Sequence, residues 1–155
     1  MLIYLPTEDL IKDLHDAILE ISGGRPGIRD ETVIHAAVNR PKTHLAYNDD
    51  CDLHTVCAVI LESISRNHGF VEGNKRTGLM SALLTYELNG VRLDRKADKD
   101  REFEELALSV VVDKPEVPEI ASRLKTLTEK YQMRGISKFV ANLKNLLVPY
   151  DSDNN

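Results

Sequence analysis

The sequence predicts an all-α protein, a compact bundle of six to seven helices with a short flap or hairpin. Apolar residues recur at intervals of three and four over most of the 155 residues, which is the period of helices that bury one face. Capping residues precede several of these segments, and glycine or proline follows them. Only residues 91–94, VRLD, read as a short extended piece. The length favours one domain with a substantial core.

The first predicted helix lies within residues 6–24 and the second within residues 29–41. Thr7 can cap the first, and Gly23 with Gly24 ends it. Its expected core face is Leu10, Ile11, Leu14, Ile18 and Ile21. Asp30 can cap the second, which should turn Val33, Ala36 and Ala37 inward. Pro41 should end it, because proline lacks a backbone N–H and disfavours helix before it. Residues 41–52 lack a helical period and are expected to form a loop or short hairpin.

The next two predicted helices are the most apolar and should lie at the centre of the bundle. Residues 52–67 carry a wide apolar stripe of Leu53, Val56, Cys57, Ile60, Leu61 and Ile64. Residues 76–90 are apolar on most sides and end at Asn89-Gly90. A polar loop joins them, so the pattern predicts two buried helices on either side of one hydrophilic turn.

Three helices are predicted in the remainder of the chain. Residues 98–113 have an acidic first half and an apolar set of Phe103, Leu106, Leu108 and Val110 to Val112. Residues 114–131 begin with prolines at positions that a helix start accepts and continue through Ile120, Leu124 and Leu127. Residues 136–148 form a weaker amphipathic pattern, followed by a polar tail that we expect to fray.

Composition excludes several classes of function. The net charge of −5 argues against nucleic-acid binding, which needs a basic surface. No apolar run approaches the length of a membrane span, and the first residues lack the pattern of a signal peptide. Cys51 and Cys57 are too few for a disulfide framework. We therefore expect reduced thiols in a cytoplasmic protein that binds neither nucleic acid nor membrane.

The segment HGFVEGNKRTGLM, residues 68–80, concentrates the chemistry. Gly73 and Asn74 open a helix, whose first N–H groups are unpaired and carry partial positive charge. Such a helix start binds anions readily. Lys75 and Arg76 add two cations at an end where cations are normally disfavoured. A bound phosphate would explain this placement, because arginine can bind two phosphate oxygens at once.

Two further side chains complete a possible transfer site. Glu72 immediately precedes the anion site, and a carboxylate beside phosphates suggests Mg²⁺ between them. His68 could take a proton from an attacking hydroxyl. These parts suit transfer from a nucleotide. Simpler interpretations stay open, since a histidine before a helix is often structural and a glutamate near cations is often a solvated pair. A zinc site at His68 and Glu72 would need one continuous helix, against which Gly73-Asn74 argues.

At these residues the sequence resembles the Fic/Doc superfamily. The Fic pattern H-x-F-x-(D/E)-G-N-(G/K)-R is matched at each specified position from His68 to Arg76. The upstream segment GIRDETVIHAAVNRP also resembles death-on-curing (Doc-type) proteins. The resemblance covers about residues 1–130. It implies a Fic/Doc-like domain at 1–135, with an additional C-terminal helix and disordered tail at 136–155.

The resemblance implies an ATP-dependent transferase that modifies a hydroxyl side chain of a target protein. It assigns His68 as general base and Glu72 as the Mg²⁺ ligand. The nucleotide phosphates would be held by four consecutive residues, Gly73, Asn74, Lys75 and Arg76. Residues 41–52 lie where the family has a flap that docks the target, and backbone pairing could provide that docking.

Two departures from the family pattern concern the transferred group. AMP-transferring Fic enzymes usually have glycine at the position of Lys75 and a second arginine at the position of Leu79. Lysine without that arginine resembles Doc toxins, which phosphorylate elongation factor Tu. Glu72-Gly73, however, is more similar to Fic enzymes, since Doc carries Asp-Ala. We favour phosphoryl transfer by a toxin with a translation factor as target; AMP transfer and a non-catalytic nucleotide-binding regulator or scaffold are the alternatives.

The resemblance also bears on inhibition. Fic proteins are often inhibited by an (S/T)-x-x-x-E-(G/N) helix, and this motif does not occur in the sequence. A separate antitoxin protein could therefore inhibit the chain in trans. Loss of the second arginine, the partner of the inhibitory glutamate, is the other explanation.

Overall fold

The structure, a computed structural model, describes residues 2–94 and 97–133. Within these residues it contains six helices and no strand, which confirms the all-α prediction. The helices are α1 (Glu8–Ser22), α2 (Glu31–Tyr47), α3 (Leu53–Asn67), α4 (Asn74–Leu88), α5 (Ala97–Val112) and α6 (Val117–Tyr131). The helix predicted at 136–148 and the tail after it lie outside the described residues.

Helix α3 is the centre of the bundle, as its apolar stripe predicted. Its residues 56–65 are buried without interruption, and α2, α4, α5 and α6 all pack against it. Burial of each large aliphatic side chain contributes about 1.5–3 kcal/mol, so this helix provides much of the core. The contact with α4 is close because Gly78 has no side chain. A Cβ atom there would lie only 3.0 Å from the Leu61 carbonyl oxygen and 3.2 Å from the Ser65 nitrogen.

The prediction that Pro41 ends α2 was wrong. The helix continues to Tyr47 with Pro41 buried inside it. A proline at this position cannot donate to the Ala37 carbonyl one turn earlier. That carbonyl instead accepts a hydrogen bond from the Ser63 hydroxyl of α3, at 3.1 Å. Because a neighbouring helix satisfies the carbonyl, the chain tolerates a proline that sequence reasoning treats as a stop.

The predicted flap or hairpin at 41–52 is therefore not observed. Residues 41–47 are the last turns of α2, and only residues 48–52 form a loop. No hairpin occurs in the part of the chain that the structure describes; it contains two isolated antiparallel bridges, Ile28 with Phe70 and Leu93 with Gln132. The second bridge agrees with the short extended piece predicted at 91–94.

Several residues predicted to face the core are exposed. On α1 the buried face is Ile11, His15 and Leu19, whereas Leu10 and Ile21 are exposed. On α2, Ile34, Ala37 and Val38 are buried and Ala36 is exposed. On α5, Phe103, Leu106 and Val110 are buried, but Leu108 and Val112 are not. In each of these helices the apolar residues outnumber the buried positions, so the period alone did not select the buried ones.

Both cysteines are free thiols, as predicted, with Cys57 buried and Cys51 partly exposed. In the described ranges, none of the helices combines the length and apolar character needed to cross a membrane.

Candidate functional site

The segment from His68 to Gly73 connects the two central helices. His68 ends α3 in the left-handed conformation, with φ 51° and ψ 39°. Non-glycine residues seldom adopt this conformation, and histidine is among those that adopt it more often. The side chain of His68 is exposed and forms no hydrogen bond with the described residues. Its imidazole is therefore available to a ligand.

The geometry argues against a zinc site on one helical face. Helix α3 ends at Asn67 and α4 begins at Asn74, so His68 and Glu72 are separated by non-helical chain, as predicted. Among residues 2–94 and 97–133, no group of three or more histidine, cysteine or acidic side chains could hold a metal ion.

Phe70 and Asn74 give the loop its shape. Phe70 is buried, with 2% of its surface exposed, and anchors the loop in the core. The Asn74 side chain accepts a hydrogen bond from the Phe70 N–H at 2.9 Å and donates one to the Phe70 carbonyl at 3.0 Å. Asn74 thus closes the loop with both polar atoms of its amide. Its side chain is occupied, and only its backbone N–H remains for a phosphate.

His15 of α1 supports the loop from the other side and was not predicted as a site residue. Its Nε2–H donates to the Glu72 carbonyl oxygen at 2.8 Å, and its Nδ1 lies 3.1 Å from Asp16 Oδ1. The ring stacks on Phe70 with 3.9 Å between centroids and 9° between planes. Only 1% of its surface is exposed. Its position was the available sequence signal, because a residue four positions from both Ile11 and Leu19 lies on the same face of α1 as they do.

The turn between α1 and α2 also pairs with the loop. The Gly69 carbonyl accepts from the Arg29 N–H at 2.8 Å and the Asp30 N–H at 3.1 Å, and the Val71 N–H donates to the Gly27 carbonyl at 3.0 Å. Position 69 has no room for a side chain, because a Cβ atom there would lie 2.6 Å from a side-chain carbon of Ile34. The loop is therefore held by backbone hydrogen bonds to this turn and by the His15 side chain of α1.

The beginning of α4 has the properties that the sequence predicted for an anion site. Gly73 precedes it in the left-handed conformation, φ 82°, and no side chain of the described residues caps this helix end. The first backbone hydrogen bond runs from the Thr77 N–H to the Gly73 carbonyl, at 2.8 Å. The N–H groups of Asn74, Lys75 and Arg76 therefore have no acceptor within residues 2–94 and 97–133. Unpaired N–H groups at a helix start attract anions.

The two cations of the motif behave differently. Lys75 is exposed and has no hydrogen-bond or ion-pair partner within the described ranges. Arg76 donates from Nη1 to the Ser22 hydroxyl and, at 2.8 Å, to the Gly23 carbonyl, which lie at the end of α1. Arg76 thus has a structural reason for its position besides a phosphate. The rest of its guanidinium forms no further hydrogen bond within the described residues.

A cavity of about 250 Å³ opens beside these cations. It is lined by Lys75, Arg76, Leu79, Glu104 and Ala107, so it lies between α4 and α5. Leu79 and Ala107 are nearly buried and provide an apolar side to a cavity that is otherwise charged.

Glu72 is held by Arg25, a residue that sequence reasoning did not select. The Arg25 Nε–H donates to Glu72 Oε1 at 2.6 Å, and the Arg25 backbone N–H donates to Oε2 at 2.9 Å. These two bonds lower the pKa of the Glu72 carboxyl, with smaller contributions from the charges of Arg25 and Arg76. Glu72 is therefore ionised at neutral pH.

The donor set can be compared with the needs of Mg²⁺. This ion is usually held in nucleotide sites by one or two carboxylates together with substrate phosphates and water. Glu72 supplies one ionised carboxylate next to a helix start that can hold phosphate. The residues present fit Mg²⁺ bound together with a nucleotide, and they do not form a metal site by themselves.

The six residues predicted for the site thus lie on one loop and the helix that follows it. His68, Glu72 and Gly73 belong to the loop, and Asn74, Lys75 and Arg76 form the first turn of α4.

Comparisons with known proteins identify a family and two relatives. The sequence model of the Fic/DOC family matches residues 4–86. The chain is 40% identical over 90 residues to "Protein kinase doc" of Escherichia phage P1, which is 58% of this chain and 71% of that protein. It is 35% identical over 123 residues to "Toxin Doc" of Mycolicibacterium smegmatis (strain ATCC 700084 / mc(2)155), which is 78% of this chain and 90% of that protein.

Proposed function

The chain belongs to the Fic/DOC family, and on that premise we propose that it transfers the terminal phosphate of ATP to a hydroxyl side chain of a target protein. The observation that carries the proposal is the first turn of α4. Its three unpaired N–H groups, with Lys75 beside them, form an anion site directly after the loop that bears His68. A nucleotide phosphate suits this combination of helix end and cations.

His68 is the general base of the proposed reaction. Its imidazole takes the proton from the target hydroxyl while the hydroxyl oxygen attacks the γ-phosphorus. The bond from that phosphorus to the β-phosphate oxygen breaks, and ADP leaves. Because the His68 side chain is exposed and has no partner in the described chain, the target can approach it directly. A positioned base typically contributes about 10²–10⁴-fold to the rate.

The remaining loop residues hold the nucleotide. The backbone of Gly73 to Arg76 contacts phosphate oxygens, and Lys75 and the unpaired part of the Arg76 guanidinium neutralise their charge. Glu72 would hold Mg²⁺, which when bound neutralises phosphate charge and orients the oxygens. Phe70, Asn74 and His15 fix the loop in place, so the phosphate site is formed before the nucleotide arrives.

The names of the two relatives support the biological setting. One is called a protein kinase and the other a toxin. We propose that this chain is likewise a toxin, that a cytoplasmic translation factor is its target, and that a separate antitoxin protein restrains it.

The transferred group can be determined with labelled nucleotide. The protein is incubated with a cell extract and with ATP labelled at either the γ- or the α-phosphorus, beside a His68→Ala control. Phosphoryl transfer predicts target label from the γ position only, absent with the variant. Label from the α position only would refute it and establish AMP transfer, the candidate that Glu72-Gly73 favours. Nucleotide binding without any labelled target, unaffected by the variant, would indicate a non-catalytic regulator.

A further inference from the structure

The contact between Arg25 and Glu72 adds a feature that the proposed reaction does not itself require. Arg25 lies in the turn between α1 and α2, and its side chain is 77% exposed. It nevertheless binds both oxygens of the Glu72 carboxylate, one through Nε–H at 2.6 Å and the other through its backbone N–H at 2.9 Å. The carboxylate assigned to the metal is thus already bound by protein.

The turn is shaped to make this contact. Gly24 has φ +129°, a conformation that side chains disfavour. A Cβ atom at Gly24 would lie 3.2 Å from Glu72 Oε2 and 3.1 Å from Arg76 Nη2. Glycine therefore lets the turn pass close to both charged groups and bring Arg25 onto Glu72.

A cation and an arginine compete for the same carboxylate in such an arrangement. Mg²⁺ binds carboxylate oxygens directly at about 2.0–2.1 Å, and a guanidinium on the same oxygen repels the ion. Ion pairs between exposed side chains are weak, because water screens the charges and both side chains lose freedom when they pair. The Arg25 side chain can therefore be displaced without unfolding the turn, while its backbone N–H continues to hold Oε2.

We propose that Arg25 is a positioning residue that keeps the Glu72 carboxylate oriented and neutralised in the absence of ligand, and that a divalent cation displaces its guanidinium when the metal–nucleotide complex binds. Arg25 thereby sets how strongly nucleotide binding depends on the metal. This inference rests on the proposed function, because it assumes that Glu72 binds the metal.

The dependence can be measured without turnover. The dissociation constant of a non-hydrolysable ATP analogue is determined by calorimetry without Mg²⁺ and with saturating Mg²⁺. The quantity compared between proteins is the ratio of the constant without Mg²⁺ to the constant with Mg²⁺, so a higher ratio means a stronger dependence on the metal. In Arg25→Leu the carboxylate repels phosphate more strongly without metal and is free to bind the ion with metal. Both effects raise the ratio, by about two- to fivefold if one exposed ion pair is lost.

Arg29→Leu is the matched control, since it removes the same charge from the same turn and Arg29 contacts the loop through its backbone N–H. Its ratio should stay within about twofold of the wild-type ratio. An Arg25→Leu ratio that is unchanged, lower, or equal to that of Arg29→Leu overturns the inference.

Glu72→Ala separates this inference from the proposed function. If Glu72→Ala keeps the wild-type ratio, Glu72 does not hold the metal and that part of the proposed function fails, together with the inference. If Glu72→Ala lowers the ratio while Arg25→Leu leaves it unchanged, the metal role stands and only the role of Arg25 is refuted.

Discussion

Substitution of His15 by phenylalanine tests whether the motif loop depends on a hydrogen bond from α1. The variant retains an aromatic ring that can stack on Phe70, where the His15 ring now lies at 3.9 Å. It removes the Nε2–H donor that binds the Glu72 carbonyl at 2.8 Å. The loop then loses its hydrogen bond to α1 and keeps the ring contact.

The expected loss of stability follows from these contacts. A typical hydrogen bond contributes about 0.5–1.5 kcal/mol net, and a buried acceptor left without a donor costs about 1–3 kcal/mol. Because Glu72 is half-buried, we expect His15→Phe to lower the free energy of unfolding by about 1–2 kcal/mol. His15→Ala also removes the ring from a site only 1% exposed and leaves a cavity, so we expect it to cost more than His15→Phe.

Denaturant unfolding of both variants measures these values. His35→Phe is the matched control. The His35 side chain is 71% exposed, and its contacts to Glu8 and Asn39 lie at the surface, where such pairs contribute little to stability. Affinity for the ATP analogue should fall in His15→Phe and remain unchanged in His35→Phe. If His15→Phe unfolds at the wild-type denaturant concentration and binds the analogue normally, His15 is only a packing residue.

Three further predictions concern the site and the core. His68→Ala should reduce transfer by about 10²–10⁴-fold and leave the analogue's dissociation constant unchanged in calorimetry; an equal loss of binding would contradict the base role. Gly73→Ala, at φ +82°, should cost about 1–2 kcal/mol for the left-handed conformation, plus a crowding penalty absent from Gly90→Ala, which has φ +81° and open space. Equal unfolding midpoints for Gly73→Ala and Gly90→Ala would show that the chain around Gly73 relaxes and removes the crowding. His54 bonds the Tyr86 hydroxyl at 2.8 Å, and burial lowers the His54 pKa from 6.5. The imidazole therefore binds a proton more readily in the unfolded chain, and the free energy of unfolding should fall as pH drops below 6.5 and stay constant above it. His54→Asn should weaken this pH dependence in denaturant unfolding. An unchanged dependence would exclude His54 as its source.

The helices could be predicted because their signals are local. Thr7, Asp30 and Asp52 cap α1, α2 and α3 through side-chain bonds to the first turn, as residues of these types at helix starts commonly do. The apolar stripe of α3 identified the central helix correctly. The loop from His68 to Gly73 and the uncapped start of α4 also followed from short-range chemistry.

The errors arose where distant residues determine the outcome. Pro41 stays inside α2 because the Ser63 hydroxyl of α3 bonds the carbonyl that the proline leaves unpaired. His15 and Arg25 reach Glu72 across 57 and 47 positions of sequence, and no motif spacing indicates such contacts. Leu108 is exposed because α5 contacts its neighbours through another face. Tertiary packing, which the sequence period does not encode, decides these positions.

Mass spectrometry of cellular proteins after expression tests the central claim most directly. Cells expressing the wild-type chain are compared with cells expressing His68→Ala at the same level. The proposed function predicts a target hydroxyl that gains the mass of one phosphate in the wild-type sample only, together with growth arrest that the variant does not cause. A modification with the mass of AMP, or the same phosphorylated site in the His68→Ala sample, would contradict the claim.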